Sequence, residues 1–210
     1  MNTAVDSQES AYPVRLTVVR PDKQSRLLNF PLGIGTIIRA ILIIPHALIL
    51  YALSLVAWVL YFVATFAILF TGHYPAGMHK FIEGFLRWNV NVNGYVSGLY
   101  DAYPPFSLDT QQYPLLFDVD YPAQSSRLLN FPLGIGLIIR YVLLIPHLIA
   151  LVFLGIVYYL VLFISQFAIL FTGSFPAGMH SFGVGVTRWG IRIQAYTMGL
   201  TDRYPPFSLD

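Results

Sequence analysis

The stretch SRLLNFPLGIG, residues Ser25–Gly35, occurs again without a change at Ser126–Gly136. Working outward, FAILFTG at Phe66–Gly72 returns at Phe167–Gly173, and PAGMH at Pro75–His79 returns at Pro176–His180. Arg87 and Trp88 match Arg188 and Trp189, and YPPFSLD at Tyr103–Asp109 matches Tyr204–Asp210. All matches share one offset, 101 residues, without a gap, and roughly half of the aligned positions are identical. The chain is therefore one unit written twice: Tyr12–Asp109, then Tyr113–Asp210, with only Thr110–Gln112 between them. Residues 1–11 are polar, lack the basic and apolar regions of a signal peptide, and are expected to form a disordered tail.

Composition names the solvent. Of 210 residues, 56% are hydrophobic and 10% charged, against about 25% charged in ordinary soluble domains. A net charge of +2 with no basic stripe gives no footprint for nucleic acid. The absence of cysteine rules out disulfides, thiolate metal sites and cysteine nucleophiles.

Each unit opens on a period-two run, Tyr12–Val19 and Tyr113–Asp120, that reads as a short half-exposed strand. A lone strand is unstable, and pairing across the repeat would satisfy both. The Pro and Gly residues of the NFPLGIG segment mark a turn into a helix. From Ile34 to Phe70 nearly every residue is apolar. One straight helix of that length would reach about 55 Å, nearly twice a hydrocarbon core of about 30 Å. Pro45, and Pro146 in the second copy, are the expected break points, because proline removes an N–H and disfavours helix in the residue before it. The division predicts a short helix at Ile34–Ile44 lying at the membrane interface, then a span at His46–Thr71, copied at His147–Thr172. On the short helices Arg39 and Arg140 are expected to reach lipid headgroups.

A third helix starts near Met78 and runs to about Asp101, with His79, Lys80, Glu83, Arg87 and Asn91 recurring along one side. It is long enough to cross the membrane with that stripe against protein. The expected fold is thus an all-helical integral membrane protein with four crossings, two interfacial helices and a small cytoplasmic β element; with the third helix on the surface instead, each unit would cross once and the repeats would be inverted. Arg15, Arg20, Lys23, Arg26 and Arg127 would share the side of the termini, which the positive-inside rule assigns to the cytoplasm of a multi-pass protein.

The stretches YPVRLTVV, LLNFPLGIGTIIRAILIIPHALIL, FAILFTGHYPAGMHKFIEGFLRWNVNVNGY and DAYPPFSLD resemble the bacterial membrane-protein family catalogued as domain of unknown function 4389. The resemblance covers both units. It implies residence in a bacterial inner membrane, no agreed activity, and no catalytic residue to carry over.

Residue by residue, chemistry is sparse. His46, His147, His79 and His180 lack the spacing of a zinc site, so interfacial hydrogen bonding is the simpler reading and no metal is expected. Arg87 and Arg188 are the leading intramembrane candidates, since ionisable residues there usually have a specific role. Pairing with Glu83, Asp101 or helix-end carbonyls is their structural alternative. Glu83 becomes Val184 in the second copy, which removes any carboxylate pair for acid–base work. Gly94 and Gly98, with Gly199 in unit two, read as small residues for close helix contact. Nothing assembles a nucleophile or a cofactor site. The expected function is a non-enzymatic accessory or scaffold subunit that binds membrane lipids and further membrane-protein subunits or a second copy of itself. The alternative is a small transporter or channel with a polar path along Arg87, Arg188, Asn91 and Arg192.

Overall fold

A computed structural model describes residues 12–109 and 112–210; the expected tail at 1–11 lies outside them. The elements are β1 (Val14–Val18), α1 (Ile34–Leu42), α2 (Ile44–Thr71), α3 (Ala76–Val96), β2 (Leu115–Val119), α4 (Ile135–Thr172) and α5 (Ala177–Thr197). Among the described residues the fold is mostly helical with one two-stranded sheet.

The repeated turn explains how each unit begins. Gly35 N–H donates to Phe30 O, closing the loop onto the helix start. A side chain at Gly35 would lie 2.5 Å from Leu28 O, and one at Gly136 would lie 2.5 Å from Leu129 O. Only glycine permits that approach. Leu32 and Leu133 adopt positive φ (62° and 60°), a conformation β-carbons disfavour, held by the turns on either side.

Pro45 sits in the first turn of α2, where its missing N–H is harmless. The break before it is one residue, and Ile43 N–H still donates to Arg39 O while Ala47 N–H donates to Ile43 O. Pro146 breaks nothing: α4 runs through it for 38 residues. The expected pair of separate interfacial helices is therefore replaced by near-continuous extensions of the two long helices.

The strands pair antiparallel across the repeat, Val14 opposite Val119, Leu16 opposite Phe117 and Val18 opposite Leu115. Leu16 and Phe117 are equivalent positions at the 101-residue offset, so a local two-fold axis passes between them. Packing is exchanged about that axis: α3 lies on β2 and α5 on β1. His79 Nε2 meets Leu200 O at 3.4 Å, and His180 Nε2 meets Leu99 O at 3.1 Å. The start of each inner helix thus touches the chain just past the end of the other, and α3 and α5 are antiparallel. Each is joined to its long helix by a four-residue turn, so α2 and α4 are antiparallel too.

Burial sorts the helices into layers. Eleven of the 21 residues of α3 and twelve of the 21 of α5 are buried. In α2 only seven of 28 are buried, and in α4 six of 38. The exposed positions of α3 are Ala76, Gly77, Lys80 and Asn93, and those of α5 are Ala177, Gly178, Ser181 and Gln194. The few fully exposed positions of the inner helices are small or polar, in contrast to the long apolar exposed faces of α2 and α4. Among the described residues two helices, α2 and α4, are long and apolar enough to cross a membrane. The expectation of four such helices does not hold, because the apolar side of α3 and α5 is spent on the sheet and on the long helices.

Candidate functional site: duplicated polar clusters and an inter-unit groove

Arg39 points inward. It is 1% exposed, and all five of its N–H donors are used. Nε donates to Leu28 O (2.9 Å), and Nη1 to Tyr95 O (2.7 Å) and Tyr100 O (3.0 Å). Nη2 donates to Asn29 Oδ1 (3.1 Å) and to Asp101, forming an ion pair. Asp101 also accepts from Ser25 N–H and Asn29 Nδ2, and the Tyr95 ring lies 4.7 Å from the guanidinium. Arg140 repeats the set with Leu129, Tyr196, Thr201, Asn130 and Asp202. The reading of Arg39 and Arg140 as headgroup contacts is corrected on this geometry: a guanidinium with no free donor binds nothing further. The cluster ties the SRLLNFP turn, α1 and the end of α3 into one joint.

Arg87 and Arg188 act across the repeat. Arg87 donates to Phe117 O of β2 (3.0 Å), to Leu108 O (2.9 Å) and to Glu83. Arg188 donates to Leu16 O of β1 (3.0 Å) and Leu209 O (2.7 Å). Both occupy strand carbonyls that no third strand satisfies. Burial raises the Glu83 carboxyl above its ordinary range, against the pull of Arg87. Asn91 is buried with Oδ1 unpartnered, and its repeat equivalent Arg192 lies 5.5 Å from the Tyr12 ring with Nε and Nη1 unpartnered.

His46 accepts from Trp88 Nε1 at 2.9 Å and stacks on Phe106, with ring centroids 3.7 Å apart. His147, Trp189 and Phe207 repeat the arrangement. The Nδ1 of each histidine is thus an acceptor, and the YPPF segment is clamped to the long helix. His79 and His180 are buried, and burial lowers their pKa below the ordinary value. No three metal-binding side chains come together among the described residues.

The glycines divide. Gly94 carries Tyr100 against its face, a packing role within one unit. Gly98 and Gly199 lie past the helix ends with φ of +72° and +71°, so they are helix stops. The helix-contact reading of Gly98 and Gly199 is corrected accordingly.

Sequence reasoning passed over a groove between units. The SRLLNFP turn and α1 of unit one face α4 of unit two across a cavity of about 360 Å³, lined by Gly33, Thr36, Tyr159, Phe163, Ser165 and Gln166 among others. Its repeat counterpart lies between α2 and the start of α4 and measures about 220 Å³. The available signal was Ser165 and Gln166, two adjacent polar residues inside the otherwise apolar stretch 148–171.

No curated protein and no solved structure matches the chain. The family described as Domain of unknown function (DUF4389) matches twice, at residues 34–107 and 135–208. Each match runs from the start of the long apolar segment to the YPPF clamp. With most of its length matched in two tandem copies, the chain belongs to the DUF4389 family.

Proposed function

We propose that the protein is a non-enzymatic scaffold or accessory subunit seated in one leaflet of a membrane, with α2 and α4 lying among the lipid tails and the sheet facing water. The observation that carries this reading is the place of the sheet. Arg87, midway along α3, and Arg188, midway along α5, hold its central carbonyls. Its outer face exposes Arg15, Thr17, Leu116 and Asp118, with Arg15 paired to Asp118 and Asp120. Were α2 and α4 to cross the bilayer in their antiparallel arrangement, this charged face and its unpaired strand edges would stand near mid-depth in lipid. Lipid-exposed sheet edges and charges are costly there. Laying the two-fold axis along the membrane normal removes the conflict.

The surface chemistry agrees. Between Ile44 and Thr71, and between Pro146 and Thr172, there is no charged residue. Large apolar side chains such as Leu48, Tyr51, Val59, Val152, Phe153 and Tyr159 are exposed along both helices. Arg127 lies beside Gly72 and Arg26 beside Gly173, so an exposed cation stands at the turn ending each long helix, at headgroup height. The saturated donors of Arg39 and Arg140 favour a structural role for these two residues.

Because the natural chain has no cysteine, single cysteines at Thr17, His73 and Ser174 test the seat cleanly. A membrane-impermeant maleimide should label all three from the same side of sealed vesicles. Labelling of positions 73 and 174 from opposite sides would establish crossing helices and sink the one-leaflet reading. Partners are addressed by mild-detergent purification from the native membrane: a stoichiometric co-purifying protein supports the accessory role, and its reproducible absence counts against it.

A further inference from the structure

Duplication supplies an internal control, because the two inter-unit grooves began as the same groove. Gly33, Tyr159, Phe163 and Gln166 of the larger groove correspond at the 101-residue offset to Gly134, Trp58, Phe62 and Thr65 of the smaller. The lining has nevertheless diverged: Leu162 of the larger groove stands at the position of Tyr61 in the smaller, but four exchanges run toward polar side chains in the larger groove. Thr36 stands where the smaller groove has Leu137, and Gln166 where it has Thr65. Ser165 and Ser97 line the larger groove at positions whose equivalents are Ala64 and Met198.

Within the larger groove Gln166 Nε2 donates to Thr36 Oγ1 at 3.3 Å, while Gln166 Oε1 is buried with no donor. A carboxamide in an apolar helix is costly unless something pairs with it. Tyr159 and Phe163 border the cavity with 77% and 48% of their surface exposed, so it opens onto the lipid-facing side of α4. Arg39 also lines it, but each of its donors is already engaged, leaving no cation for a phosphate or carboxylate.

We propose that this groove binds a neutral membrane amphiphile with a free hydroxyl, a diacylglycerol being the simplest such molecule. The hydroxyl donates to Gln166 Oε1, and the acyl chains leave along Tyr159 and Phe163 into the leaflet. The proposal rests on the membrane seat described above, and a volume of about 360 Å³ holds the glycerol portion and the first part of the chains, not the whole lipid.

Dioleoylglycerol titrated into the full-length protein in detergent, read by native mass spectrometry, tests it. The expected result is one molecule retained per chain. The double variant Thr36→Leu/Gln166→Leu should retain it at least tenfold less, Thr65→Leu in the smaller groove should leave retention unchanged, and dioleoyl phosphatidic acid should not displace it. No retention by the natural chain, equal retention by the double variant, or displacement by phosphatidic acid would each overturn the site. As a second readout that leaves the polar pair intact, Phe163→Trp should gain fluorescence that brominated diacylglycerol quenches; unquenched fluorescence at saturating lipid also overturns it. The cysteine-labelling result is independent, so failure of the groove and failure of the one-leaflet seat are told apart.

Discussion

Arg39 is the residue on which sequence and structure part most sharply. An arginine on a short apolar helix has two ways to avoid an unpaired charge: reach headgroups or find acceptors inside. Three carbonyls, Asn29 and Asp101 supply the second way. Replacing Arg39 by methionine would strand Asp101 and those carbonyls, and a loss of about 3–5 kcal/mol is expected, as for other broken buried pairs. Arg39→Lys should recover little of it, since an ammonium cannot reproduce the five-donor fork. Chemical unfolding in detergent measures both. Histidine gives a pH prediction. The pKa values of His79 and His180 are lowered in the fold by burial, so the unfolded chain binds the extra protons. Their contribution is fully present above about pH 6.5, the unfolded value, and is lost as pH falls through the folded values. The thermal midpoint should therefore drop between pH 7.5 and 5.5, and His79→Gln/His180→Gln should make the drop smaller. An unaltered drop would show that these two rings are not its source.

At the scale of elements, the joint between the SRLLNFP turn and the long helix depends on Gly35 and Gly136, where a β-carbon would press on backbone. Gly35→Ala should destabilise by more than the ordinary glycine-to-alanine effect, because Leu28 O and Phe30 N cannot move without opening the turn. Gly155, in the middle of α4 with open space around its face, is the control. Gly155→Ala should be neutral or stabilising by up to about 1 kcal/mol. Circular dichroism melts of the two variants decide it, and similar losses in both would remove the steric argument. The prolines behave by position. Pro45 occupies a first turn, where it is tolerated. Pro146 lies inside a helix that continues past it, with Trp189 bonded to His147 and the buried Arg140 cluster anchoring the turns on either side.

For the whole molecule the exchanged packing matters most. Arg188 of unit two needs Leu16 O of unit one, and Phe117 O needs Arg87. Backbone bonds from Gln24 to Gly173 and from Ser125 to Gly72 bind the halves further. A chain of residues 113–210 alone should therefore form no folded monomer but a two-fold dimer, each copy supplying the strand the other lacks. Light scattering in detergent reads this directly. A stable folded monomer would show that the exchanged contacts are dispensable.

By itself the sequence determined the duplicated unit, its register, the long apolar helices, the strand at the head of each unit and the glycine-dependent turns. Those are local or periodic properties, and a 101-residue repeat with chemically matching positions leaves little freedom in them. The repeat also implied symmetry without saying which symmetry. Only the tertiary structure decided that α3 and α5 are antiparallel, that Arg87 and Arg188 bond strand carbonyls, and that Arg39 turns inward. The physical reason is that each of these rests on contacts between residues far apart in the chain, such as Arg87 with Phe117 and His79 with Leu200. An amphipathic stripe records that a helix has a polar side. It does not record whether water, lipid headgroups or another backbone will satisfy it.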